Sequence, residues 1–128
     1  MKIFLASVTI MTVLMSKDSC HHKEKNQNNG NSFKGKLEVK GMCMNYTIAV
    51  VEGNIDTSLI ESKWIDETTG KPYKNVFALK SRCTFPQNIA EGDEFTFIID
   101  TAQVQNCAVC LGYYPTPAKH LSIKVLGK

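Results

Sequence analysis

Beyond residue 35 the chain alternates. In KLEVK (36–40) Leu37 and Val39 point one way while Lys36, Glu38 and Lys40 point the other, the pattern of a half-buried strand. Met44, Tyr46, Ile48 and Val50 repeat it, with Asn45 and Thr47 on the opposite face. Only Gly41, Met42 and Cys43 link these two runs, which predicts a hairpin.

A second hairpin is predicted around the Gly-containing turn at residues 68–71, between residues 62–67 and 73–80. Trp64, Tyr73, Phe77 and Leu79 supply its strand-favouring and core-sized side chains. Between the hairpins, residues 56–61 predict a single helical turn capped by Asp56 or Ser58. The turn-forming run Ile89-Ala90-Glu91-Gly92-Asp93-Glu94 leads into a strand that turns Phe95, Phe97 and Ile99 inward, and residues 121–125 alternate as the last strand. The expected fold is mainly β, a small antiparallel barrel or sandwich of five to six strands with little helix. The stretch IAEGDEFTFII resembles the lead-in to a strand of oligonucleotide/oligosaccharide-binding (OB-like) barrels, and a barrel also hides the strand edges that a secreted domain must protect.

The first 32 residues are built differently. Lys2 precedes an apolar run over residues 3–15, too short for a hydrocarbon core roughly 30 Å thick, and the pair reads as a secretory signal. The polar tract HHKEKNQNNGNS at 21–32 has no apolar period with which to dock on a core. The expected organisation is a signal peptide at 1–19, a flexible polar tether at 20–32 and one β domain at 33–128. Cys20 follows small Ser19, as the lipid-modified cysteine of a bacterial lipoprotein does, although Lys17 and Asp18 stand where a lipobox carries an aliphatic and a small residue. Lipid attachment at Cys20 leaves four of the five cysteines, an even number, for the domain. The alternative is a soluble secreted protein cut near Ser16.

Charge excludes one class of partner. With 15 Lys+Arg, 12 Asp+Glu and the basic residues scattered, the chain has no stripe for a phosphate backbone, so no nucleic acid is expected. His120 is the only histidine beyond the tether, which leaves no Ser/His/Asp set. Glu91, Asp93 and Glu94 read as solvated turn charge. Neither a catalytic residue nor a cofactor is expected.

The remaining chemistry lies in CAVCLGYYPTP (107–117), and three readings compete for its cysteines. A redox Cys-x-x-Cys opens a long helix, whereas Gly112, Pro115 and Pro117 stop one here. A zinc ribbon needs two such pairs, and Cys43 and Cys83 each stand alone; Met42 and Met44 beside Cys43 add thioethers that would suit copper(I). Structural disulfides among Cys43, Cys83, Cys107 and Cys110 are the default for an exported domain. Cys43 opens one predicted strand and Cys83 follows the end of its meander neighbour, so the favoured pairing is Cys43–Cys83 with Cys107–Cys110. These bridges are worth about 4 and about 2 kcal/mol respectively from loop length. Crossed pairings of Cys43 or Cys83 with Cys107 or Cys110 stay open.

In the run Tyr113, Tyr114, Pro115, Thr116, Pro117 the prolines fix an extended backbone, so adjacent tyrosines face opposite ways. One can cap the core while the other is presented outward, which makes Tyr113, Tyr114, Pro115 and Pro117 the candidate binding loop. Packing of the run on its own barrel is the competing reading. Lys80, Arg82 and Trp64 join this loop if they share its rim.

Taken together, the short signal ending in Ser19-Cys20, the polar tether and the CAVCLGYYPTP run resemble the small envelope lipoproteins of Bacteroidetes-type bacteria. The resemblance implies an envelope location and a compact β domain, and it transfers no activity. Asp100-Thr101-Ala102 is similar to the short O-glycosylation motif of that group, and Asn45-Tyr46-Thr47 fits the eukaryotic N-glycosylation sequon. The expected role is a non-enzymatic binding or structural module. Its partners are the lipid bilayer, through the anchor, and an envelope protein or glycan. The rivals are a thiol-redox protein and a cysteine-based zinc or copper carrier.

Overall fold

The computed structural model describes residues 31–128; the expected signal, Cys20 and the tether up to residue 30 lie outside the described residues. Seven strands form one sheet: β1 (Ser32–Lys40), β2 (Tyr46–Glu52), β3 (Glu61–Ile65), β4 (Pro72–Leu79), β5 (Glu94–Ile99), β6 (His120–Leu121) and β7 (Ile123–Gly127). The only helical pieces among the described residues are three single 3-10 turns. One of them, Thr57–Leu59, is the predicted turn, with the Asp56 carboxylate accepting a hydrogen bond from the Ser58 N–H.

Both expected hairpins form. β1 and β2 pair antiparallel with Lys40 opposite Tyr46, and β3 and β4 pair with Trp64 opposite Tyr73. β1 continues further toward the N-terminus than its clearest alternation and serves two partners, β2 and β5, setting Phe33 against Phe97 and Gly35 against Phe95. Two register shifts in its ladder with β2 bend it, as β-bulges do.

The predicted last strand is divided. Leu121 belongs to β6, which runs parallel to β4, while Ile123 and Val125 belong to β7, antiparallel to β5. Since the ladder order is β3-β4-β2-β1-β5-β7, this final ribbon connects its two flanks across Ser122. The seam on β4 is two residue pairs long, so the sheet curls into a partly closed barrel with β3 as a flap. With β3 set aside, the strand order is OB-like, that of a five-stranded, partly open Greek-key barrel.

Ser81 lengthens the seam. Its buried hydroxyl donates to the Ile123 carbonyl and accepts from the Ile123 N–H, both at 2.9 Å, taking the place of a backbone pair.

The core is aromatic. Phe33, Phe77 and Phe95 all pack on Phe97, and Phe85, from the segment after β4, meets Tyr46 and Phe95 edge-on. Ile48, Leu37, Ile89 and Ile123 fill between the rings. The carboxylates near the β5 turn have structural partners: Glu91 accepts from the Lys40 N–H, Asp93 from the Ala90 N–H and Lys128, and Glu94 pairs with Lys34. Lys128, with Ala90 adding a hydrogen bond, holds the Asp93 carboxyl below the ordinary carboxylate value.

Candidate functional site

Between β5 and β6 the backbone spends residues 100–119 outside any strand. A connection of that length is uncommon in a small domain unless it is functional or disordered. Here it is tied down at several points.

Two of the ties are disulfides. Cys43 is bonded to Cys110 and Cys83 to Cys107, with Cα atoms 5.1 and 5.5 Å apart. The favoured pairing, Cys43–Cys83 with Cys107–Cys110, is therefore replaced by the crossed one. The strand register behind the expectation holds: Thr47 lies opposite Ala78, which brings the turns carrying Cys43 and Cys83 together. Those turns are joined directly by a different contact, the Arg82 guanidinium donating to the Asn45 side-chain oxygen at 3.0 Å. Each sulfur is instead taken up by the long segment crossing over both turns. The Cys-x-x-Cys run thus contributes one sulfur to each of two bridges.

Close approach makes the crossing possible. A Cβ on Gly112 would lie 2.7 Å from Cys43 Sγ, and one on Gly41 2.7 Å from the Tyr114 ring. Glycine at both positions lets the segment press onto the β1–β2 turn. That turn is unusual in itself, because Cys43 and Met44 both have φ near 56°. Left-handed backbone at two non-glycine residues persists only where surrounding contacts fix it. The Asn45 backbone N–H and side-chain amide both return to the Met42 carbonyl, and that amide also donates to the Gly112 carbonyl at 2.9 Å. Asn45 is thereby engaged in the fold.

The candidate binding loop divides as the alternation requires. Tyr113 is 79% exposed and Leu111 beside it 99%, whereas Tyr114 turns inward onto Gly41 and its hydroxyl donates to Asp66 at 3.4 Å. Pro115 is half-buried and Pro117 buried, so Pro117 anchors the loop instead of facing outward. Asp66 is buried at the end of β3, where its other oxygen accepts the Thr68 N–H and closes the β3–β4 turn. Nearby, burial pushes the Tyr73 hydroxyl above its ordinary pKa, and the Asp66 charge adds to the shift.

Among the three residues that could share this rim, Arg82 and Lys80 border the same hollow as Cys107 and Val109. Trp64 sits on the β3–β4 hairpin, stacked on Tyr73 with ring centroids 5.8 Å apart. Sequence reasoning missed Asp66, Asn45 and Gln105, whose side-chain oxygen accepts the Cys83 N–H. Asp66 had a local signal, an Asp two residues before Thr68 in a Thr-Thr-Gly turn, the spacing at which an Asp side chain accepts a backbone N–H. Nothing local marked its meeting with Tyr114.

As disulfide sulfurs the four cysteines offer no thiolate to a metal, and among the described residues no group of three or more His, Cys, Asp or Glu is placed to hold one. Two disulfides in a small domain point to an oxidising, extracytoplasmic compartment. No family model matches the chain, and neither does any curated protein or solved structure.

Proposed function

We propose that this protein is a non-enzymatic binding module of the cell envelope, anchored by a lipid on Cys20, with the crosslinked segment at residues 100–119 as its recognition surface. The observation that carries the reading is the combination of tight fixation with exposure. Two disulfides, the Asn45–Gly112 hydrogen bond and the Tyr114–Asp66 contact hold the segment, yet Leu111 and Tyr113 stand out into solvent. A rigid segment loses little conformational entropy when a partner docks, and an aromatic beside an aliphatic side chain supplies apolar contact area. The partner on this reading is an envelope protein or glycan. Thiol cycling between Cys107 and Cys110 fits less well, because each is bonded to a different distant cysteine.

Leu111→Asp and Tyr113→Ala test the surface. Both side chains are exposed, so thermal stability should change by no more than about 0.5 kcal/mol. Site-specific photocrosslinking from position 111 or 113 in intact cells should trap a discrete envelope partner, and the Asp variant should abolish its capture. Undiminished capture by both variants would remove the segment from the interface. Palmitate labelling that survives Cys20→Ala would remove the lipid from that residue.

A further inference from the structure

The hollow beside the Cys83–Cys107 bridge has a chemistry that the exposed Leu111–Tyr113 surface does not share. It measures about 280 Å³, just under the range of drug-sized sites, and is bordered by Lys80, Arg82, Gln105 and His120. None of its lining residues is acidic. No salt bridge among the described residues involves Lys80 or Arg82. Two formal positive charges thus border a concavity without a carboxylate to neutralise them.

Its donors are also held in place. Arg82 gives one guanidinium nitrogen to Asn45, which tethers the group, and the group's other N–H donors have no partner among the described residues. Gln105 accepts the Cys83 N–H through its oxygen, so its amide nitrogen remains as a donor. The lining also includes apolar groups, Leu79, Val109 and the Cys83–Cys107 disulfide. A bare inorganic ion would leave these apolar groups unused.

From these features we infer that the hollow binds a carboxylate carried on a small carbon skeleton, either a free small organic acid or an acidic sugar unit of a glycan. The guanidinium and Lys80 ammonium take the carboxylate through charge-assisted hydrogen bonds. Val109 and the disulfide lie against the skeleton. Since Gln105, Cys107 and Val109 all belong to the segment fixed by Cys83–Cys107, the bridge builds one side of the site. Leu111 and Tyr113 take no part, so the site stands independently of the recognition surface proposed above.

The test is an amide chemical-shift titration of the oxidised protein with acetate, glucuronate and neutral glucose at low ionic strength. Acetate and glucuronate should move the amides of Lys80, Arg82, Gln105 and His120 saturably, and glucose should not. Binding of glucuronate at least about tenfold tighter than acetate identifies the acidic sugar unit; equal affinities identify a free small acid. Lys80→Ala should weaken binding about tenfold or more with the melting temperature preserved, as loss of one charged hydrogen bond requires. The Cys83→Ser/Cys107→Ser variant should lose the shifts at residues 105–109, and Leu111→Asp should bind as the native protein does. Three outcomes would each overturn the inference: no saturable shift up to about 50 mM, an equal response to glucose, or affinity unchanged by Lys80→Ala.

Discussion

Removing the two bridges one at a time should destabilise the fold unequally, by amounts that follow from how they are nested. Cys43–Cys110 spans 67 residues and encloses Cys83–Cys107, which spans 24. With the inner bridge intact, the outer loop is effectively shortened through it, and its closure is still worth about 4 kcal/mol in the chain-entropy treatment. Adding the inner bridge to a chain already closed by the outer one is worth about 3 kcal/mol on the same basis. Cys43→Ser/Cys110→Ser should therefore cost about 1 kcal/mol more than Cys83→Ser/Cys107→Ser, and either loss is a large share of a typical stability of about 5–15 kcal/mol. Urea unfolding followed by tryptophan fluorescence gives both numbers. The slope should rise in each variant, because a less constrained unfolded chain exposes more surface. Alkylation supplies an independent check: in the Cys83/Cys107 variant, Cys43 and Cys110 should stay unreactive until reductant is added. Reactive thiols at both positions, a larger loss from the inner pair, or losses under about 1 kcal/mol would refute the reasoning.

Three further changes probe the barrel itself. Ser81→Ala strips the Ile123 N–H and carbonyl of their buried partner and should cost about 2–3 kcal/mol in urea unfolding; a loss below about 0.5 kcal/mol would mean the seam does not depend on it. Thr47 is fully buried and its hydroxyl has no hydrogen-bond partner among the described residues, so Thr47→Val should raise stability by about 1 kcal/mol, and a destabilised variant would contradict that. The depressed Asp93 carboxyl contributes stability that is complete above the ordinary carboxylate pKa and is lost as pH falls through its lower folded value. Asp93→Asn should accordingly flatten the acid limb of a stability–pH curve below about pH 4 and leave its slope near neutrality unchanged; an unaltered acid limb would show that the Lys128 contact is unimportant.

Strand periodicity made β1 and β5 readable, because each buries one face and so keeps a period of two. β2 and β4, buried on both faces over residues 46–49 and 76–79, were readable instead from their strand-favouring residues and the short turns that join them to β1 and β3. The start of β1 was hidden by Gly35, which occupies a core-facing position but contributes no apolar side chain to the pattern. The break at Ser122 could not be read at all. Leu121, Ile123 and Val125 alternate without interruption, and only the tertiary arrangement assigns Leu121 to β4 and the others to β5. The cysteines show the same limit. Register reasoning brought Cys43 and Cys83 to one rim, but residues 100–119 have no period by which their path over that rim could be traced. The tyrosine pair was legible because an extended backbone must send Tyr113 and Tyr114 to opposite sides. Which residue receives Tyr114 was not, since Asp66 lies 48 residues away.

The central claim is that paired sulfurs outside the cytosol hold this long segment in place. Its most direct test is to trap thiols by rapid acid quenching and alkylation of living cells, fractionate them, and map peptides without reduction. The account predicts processed protein in the envelope fraction yielding two linked peptides, one joining Cys43 to Cys110 and the other Cys83 to Cys107. Unprocessed protein in the cytosol with all four cysteines alkylated, or a peptide closed between Cys107 and Cys110, would contradict it.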